Sequence, residues 1–290
     1  MKQADNRLLV FAHMMKTAGT SLSKQLIAHF GGKMHIVPGG LKMDDDYYNK
    51  SRLKNDLDLF GQKLKIISGH PMRPYINFGK DAEQEMLWFT FFREPKKRYV
   101  SHYLHDFKWT NNFSSARYKH MKEKSIVEWE ELEGFSNYQT KFIAGEDNVN
   151  KAIEILETKF SWLGLTEEYE TSMLSFKICF DIHDLYIDTK ATNTNLADKE
   201  TKKEVHETYS EFIAEMNHND IRLYEYVKNQ IWPKYKKLAV KGENKKSVKP
   251  KGRIRRELNT ILFQINRQIK LNETEVNLKN LKRFYNRWYR

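Results

Sequence analysis

A single cysteine among 290 residues, Cys179, excludes an internal disulfide and points to a reducing compartment. It lies in the apolar run LSFKICF, which predicts a buried, inert thiol. No apolar run approaches the ~20 residues that span a bilayer. The opening MKQADNRLLVF lacks the apolar core of a signal peptide, so the expected location is the cytoplasm. There is no internal repeat, and no dense cluster of Asp and His that would predict a metal site. The surplus of positive charge is also missing from most of the chain. Lys and Arg number 50 against 38 Asp and Glu, but from Lys234 onward the counts are 18 and 4. Positions 1–233 therefore hold 32 basic and 34 acidic residues, a net of −2. The charge divides the chain into a balanced domain, 1–233, and a basic tail, 234–290. It gives no reason to expect nucleic acid as a partner of the domain.

What is present is a core: 40% of residues are hydrophobic and 13% aromatic, enough for one α/β domain. LLVFAH (8–13), KLKIISGH (63–70), MLWFTFFRE (86–94) and the start of FSWLGLTEEYE are continuous rather than alternating apolar runs. That pattern suits strands of a mainly parallel sheet covered by helices on both faces. Helical patterns follow Gly19 and Pro95, with Pro95 suited to a first turn. Others cover 125–144, 148–159 and 198–229, and one is opened by Thr166, with Glu167 and Glu168 at its positive end. The polar, basic segment 110–124 reads as a loop or lid.

The chemistry gathers where strands end. After LLVFAH comes KTAGTS, in which Lys16 supplies a point charge, Gly19 allows a close backbone approach, and Thr17, Thr20 and Ser21 supply hydroxyls. A phosphate group at such a helix start is held by unpaired N–H groups and the helix dipole. The nucleotide P-loop places its lysine after a second glycine, so KTAGTS is not that motif, and a magnesium–ATP site is disfavoured. An ordinary strand–turn–helix remains the alternative. A second anion site is expected at the end of the 86–94 strand, where Arg93 offers a planar fork and Ser101 follows two helical turns on. Two such sites at the carboxyl edge of a parallel sheet imply a ligand with phosphates at two ends.

HMMKTAGTS together with FFREPKKRYVSHY resembles the sulfotransferase family that uses 3′-phosphoadenosine 5′-phosphosulfate, and most of all its carbohydrate branch with the heparan sulfate 2-O-sulfotransferases. The resemblance covers roughly residues 7–230. It implies a three-layer P-loop-like α/β fold, with the tail as a C-terminal helical extension. Lys16, Thr17, Ala18, Gly19, Thr20 and Ser21 would grip the 5′-phosphosulfate, and Arg93 and Ser101 the 3′-phosphate. SGHPMRPYINF resembles the family's Gly-His stretch, which makes His70 the expected catalytic base and Lys16 its catalytic partner. WLGLTEEYE resembles a further family segment, and Asn193 in NTN falls where a cofactor-contacting loop is expected. The implied cofactor is 3′-phosphoadenosine 5′-phosphosulfate, the implied acceptor a carbohydrate or glycoconjugate hydroxyl, and no metal is required. His13 is the rival base and reads as structural; His102 and His105 have no motif behind them. Arg73, Lys97 and Arg98 either meet an anionic acceptor or are solvated surface charge.

The tail lies outside the resemblance. RIRRELNTILFQINRQIK reads as an amphipathic helix, with Ile254, Leu258, Ile261, Leu262, Ile265 and Ile269 on one face. It can dock on its own domain, form a homodimer, lie on an anionic membrane or hold a polyanion. A kinase using ATP, and a non-catalytic polyanion or membrane binder, are the competing functions. The first requires the absent Walker lysine, and the second leaves the ordered motifs of the domain unexplained.

Overall fold

Apolar side chains on every position of a strand can only be hidden inside a covered sheet, and the computed structural model has that arrangement. It describes residues 7–39, 48–80, 82, 86–112, 124–188, 199–243 and 252–273. Five strands, β1 (Leu8–Ala12), β2 (Met34–Ile36), β3 (Ile66–Gly69), β4 (Met86–Phe92) and β5 (Phe160–Leu165), form one sheet in the order β2-β3-β1-β4-β5. Every neighbouring pair is parallel. All residues of β1 and β3 are buried. Phe11 of β1 stacks on Phe89 of β4 with ring centroids 5.1 Å apart, and Phe91 meets Trp162 of β5 edge-on at 5.1 Å. Each such ring removed from water contributes about 1.5–3 kcal/mol.

The helices flank this sheet. In chain order they are α1 (Gly19–Phe30), α2 (Lys50–Phe60), α3 (Pro95–Asn112), α4 (Ile126–Glu133), α5 (Tyr138–Ala144) and α6 (Val149–Lys159), then α7 (Tyr169–Cys179), α8 (Lys199–Thr208), α9 (Ser210–Met216) and α10 (His218–Tyr226), and finally α11 (Trp232–Glu243) and α12 (Arg253–Glu273). No helix among the described residues is long and apolar enough to cross a membrane. Because β1 is central, the chain leaves it toward β2 and β3 on one side, then crosses to β4 and β5 on the other. Its carboxyl end is therefore a switch point, the place where open α/β sheets form a ligand crevice.

Several elements differ from their sequence expectation. The 125–144 helix is two: Gly134 ends α4 with φ 64°, and Asn137 starts α5 with φ 47°. The 198–229 helix is interrupted at Tyr209 and Asn217. Thr166 opens only a 3-10 turn. Glu167 accepts from Glu94 N–H at 3.0 Å and from the Tyr224 hydroxyl at 3.1 Å, so it ties three elements together instead of capping its own helix. Helix α11 runs through the boundary drawn at 233/234. Its Trp232 and Tyr235 are buried, and the Tyr235 hydroxyl donates to Ser161 O at 2.9 Å, so residues 234–243 belong to the domain. Cys179 is half-buried, and burial pushes its thiol up, away from the reactive thiolate. Helix α3 reaches Asn112, so the expected 110–124 loop begins as helix, and 113–123 lie outside the described residues.

Candidate active site at the carboxyl edge of the sheet

The turn between β1 and α1 is held open by its backbone. Lys16 and Ala18 adopt φ 66° and 64°, left-handed values that cost a residue bearing a Cβ on the order of 1–3 kcal/mol each. Side chains around the turn offset that cost. The Thr17 hydroxyl donates to Met14 O at 3.0 Å, the Tyr138 hydroxyl accepts from Met15 N–H at 3.3 Å, and Arg93 Nη1 donates to Lys16 O at 3.0 Å. Left-handed residues in such turns direct backbone N–H groups into a concavity that suits an anion. Helix α1 then starts at Gly19 with no side-chain cap and no acid in its first turn, which leaves its positive end to an outside anion. Lys16, which precedes the glycine, is one of the turn's own left-handed residues. Thr17 is fully buried and its hydroxyl is committed to the turn, while Ala18, Thr20 and Ser21 are partly exposed.

Gly19 also has a packing reason that the sequence does not show. A Cβ at this position would lie 1.8 Å from His13 Nε2, so the glycine makes room for an imidazole. His13 stacks on Phe11 at 5.0 Å and sits 4.4 Å from the His70 ring, between His70 and the start of α1. His70 follows β3 on the same sheet edge, with its Nδ1 2.7 Å from His13 O. A carbonyl can only accept, so Nδ1 carries the proton and Nε2 is the basic nitrogen. Burial brings His70 down to about 4, with the Arg73 charge acting in the same direction. Burial, then His70, holds His13 well below the ordinary histidine range. Both rings are neutral at pH 7.

Arg93 leaves β4 toward the turn. Its backbone is fixed by a reciprocal pair with Gln139, whose Oε1 accepts from Arg93 N–H at 3.0 Å while its Nε2 donates to Arg93 O at 3.0 Å. Next to it Glu94 caps α3, accepting from Lys96 N–H at 3.1 Å and Lys97 N–H at 2.8 Å, with Pro95 in the first turn as expected. Ser101 is buried on α3. Lys16 is lowered to about 8 by burial first and by the Arg93 charge second, with Asp106 opposing them. The Arg93 charge thus reaches Lys16, while Glu167 and Glu94 act on Arg93 itself.

Arg73 and Arg98 are not solvated, and they differ from each other. Arg73, almost fully buried, donates from Nη1 to the Tyr75 hydroxyl at 3.2 Å, and its charge reaches His70. Arg98 is fully enclosed: Nη2 donates to Phe135 O at 3.2 Å, Nε is 4.0 Å from Asp220 Oδ2, and the guanidinium lies 4.8 Å from the Tyr138 ring centre. It faces its own core, which corrects its assignment to an acceptor. Lys97 is exposed. His102 is buried against Phe135 and brought down to about 3 by burial, and His105 lies 3.2 Å from Asp106. Asn193 lies outside the described residues.

Tyr138, Gln139, Asp220 and Asp106 carry this site without any motif to mark them. Asp220 accepts from Gln139 N–H at 2.9 Å, Thr140 N–H at 2.7 Å and the Thr140 hydroxyl at 2.9 Å, fixing the start of α5 from eighty residues away in sequence. The tail helix α12 docks on its own domain. Asn259 Nδ2 donates to Ala28 O and His29 O, Asn266 Nδ2 donates to Gly32 O, and Phe263 is buried. No protein-family model matches this chain, and no curated protein matches it.

Proposed function

We propose that the chain is a sulfotransferase that moves a sulfuryl group from 3′-phosphoadenosine 5′-phosphosulfate to a hydroxyl of a carbohydrate or glycoconjugate, on a three-layer P-loop-like fold. One observation carries the reading: Arg93 Nη1 is bonded to the carbonyl of Lys16 in a left-handed turn, beside a histidine fixed as an Nδ1–H tautomer. The residues fit a cofactor with anions at two ends because the helix start is uncapped and the Arg93 charge bears on Lys16 at the same turn. The acceptor class follows from the sequence resemblance alone.

When bound, this cofactor supplies an activated sulfuryl group on a bisphosphate leaving group. The turn amides, Lys16, Thr20 and Ser21 would hold its 5′ end, and Arg93 and Ser101 its 3′-phosphate. Protonated Lys16 would supply positive charge to the leaving oxygens of that group. His70 Nε2 takes the proton of the acceptor hydroxyl, while the His13 carbonyl keeps the ring from rotating. The Arg73 charge acts on His70, and Arg73 is retained as the candidate for an anionic acceptor on the sequence reading alone.

The test is transfer of radiolabelled sulfuryl from the cofactor to a panel of sugar acceptors in the presence of chelator, followed across pH. Protons must be absent from His70 and present on Lys16. The expected kcat/KM therefore falls as pH drops through about 4 and as pH rises through about 8. Below pH ~6.5 the unfolded chain binds protons that buried His70 and His102 refuse, so stability declines on the acid side as well. A melting curve at each pH separates the two losses. Phosphate transfer from ATP in a parallel assay with magnesium and no chelator, without sulfuryl transfer, would replace this reading with the kinase.

A further inference from the structure

Helix α12 docks by the wrong face for an ordinary amphipathic helix. Asn259, Phe263 and Asn266, spaced by four and three residues, turn toward α1 and the Gly31–Lys33 turn. Gly31 and Gly32 make room for them: a Cβ on Gly32 would lie 2.5 Å from Asn266 Nδ2. Arg256 lies 3.8 Å from the Tyr186 ring centre and closes the same seam. The aliphatic residues at four- and three-residue spacing therefore point outward. Ile254 is 76% exposed, Leu258 53%, Ile261 50%, Leu262 51% and Ile265 48%. Elsewhere among the described residues, large exposed apolar side chains are scattered singly, as on most proteins.

Charge decides what can cover this stripe. Arg253 and Arg255 are exposed at the start of the helix, and from Lys234 onward 18 Lys and Arg stand against 4 Asp and Glu. A second copy meeting the stripe about a two-fold axis would bring the exposed arginines of two α12 helices, Arg253 and Arg255 of each, to one interface, which is unfavourable. A soluble polyanion would satisfy the charge and leave the five aliphatic side chains in water. An anionic bilayer answers both: aliphatic side chains enter the boundary of the acyl chains, and arginines stay among the headgroups. We infer that α12 is an in-plane membrane helix, held to the domain by Asn259, Phe263 and Asn266, which seats the protein on anionic lipid. The helix lies on the surface and does not cross it. This inference goes beyond sulfuryl transfer and does not depend on it.

The test is co-sedimentation of the full chain with vesicles of phosphatidylcholine alone and of phosphatidylcholine mixed with phosphatidylglycerol. The chain should pellet with the mixed vesicles, weakly or not at all with neutral ones, and less as salt is raised. The triple variant Leu258→Ser, Ile261→Ser, Ile265→Ser keeps every docking residue, so its melting curve should match that of the parent. Its binding to mixed vesicles should fall at least about tenfold, the effect expected from losing three buried aliphatic side chains. Arg253→Glu with Arg255→Glu should weaken binding to mixed vesicles only. A parent that stays in the supernatant with both vesicles overturns the inference. So does a triple variant that binds as well as the parent, since attachment would then be electrostatic alone. A dimer abolished by the triple variant, without vesicle binding, would assign the stripe to a second copy.

Discussion

Replacing His70 with alanine is expected to lower turnover by about 10²–10⁴-fold while leaving the affinity for 3′,5′-bisphosphoadenosine unchanged, because on the proposed mechanism His70 acts as general base on the acceptor and not on the phosphates. The neighbouring geometry makes this separable from a structural role. His70 donates from Nδ1 to His13 O at 2.7 Å, and its ring lies 4.4 Å from the His13 ring. A residue needed only to hold His13 could be replaced by glutamine, which also donates to a carbonyl. A residue needed as a base could not. His70→Gln should therefore be as slow as His70→Ala, with the loss in kcat and little change in KM. Rescue by glutamine would reduce His70 to a spacer. If His13→Ala lost as much as His70→Ala, His13 would be required for the step as well.

The largest expected loss of stability lies outside the motif residues, at Asp220. Its carboxylate is fully buried beside the fully buried Arg98, and it accepts three hydrogen bonds from Gln139 and Thr140. Asp220→Ala strands the guanidinium of Arg98 in the core and uncaps α5. Removing one partner of a buried ion pair costs about 3–5 kcal/mol, and the lost cap adds about 1 kcal/mol. A urea or thermal unfolding curve reads that difference. Changing Arg98 to methionine in the same chain should recover part of it, because the uncompensated charge is then gone. Binding should suffer too: Gln139, placed by Asp220, holds both backbone groups of Arg93. Asp220→Ala with full stability and full bisphosphate affinity would break the link drawn here between core and site.

How much of this was legible beforehand depends on distance along the chain. LLVFA, IISG and MLWFTFF declared themselves as covered parallel strands because their apolar residues are continuous rather than alternating, and they form β1, β3 and β4. MHI and the α2 helix gave no signal strong enough to assign: β2 is three residues long and α2 buries only Leu53. Breaks at Asn137, Tyr209 and Asn217 are tertiary. Asn137 Oδ1 accepts from Asn219 N–H and Asp220 N–H, contacts that no local window contains. Lys16 and Arg93 were readable from short motifs, but the bond between them, and Tyr138 beneath the turn, join segments tens of residues apart. The tail shows the limit most sharply. Its periodicity marked an apolar face correctly, yet three residues, Asn259, Phe263 and Asn266, decide which face the domain takes.

The central claim is that the Lys16 turn and Arg93 together grip a nucleotide bisphosphate. The most direct test is a thermal-shift titration of the full chain with 3′,5′-bisphosphoadenosine, with 5′-AMP and ATP as controls and chelator throughout. At ~100 times its dissociation constant a ligand adds about 2.7 kcal/mol of stability, which a melting curve resolves. The predicted result is a shift with the bisphosphate, little with 5′-AMP, and loss of the bisphosphate shift in Arg93→Ala. A shift with ATP that needs magnesium, or no shift with any nucleotide, would contradict it.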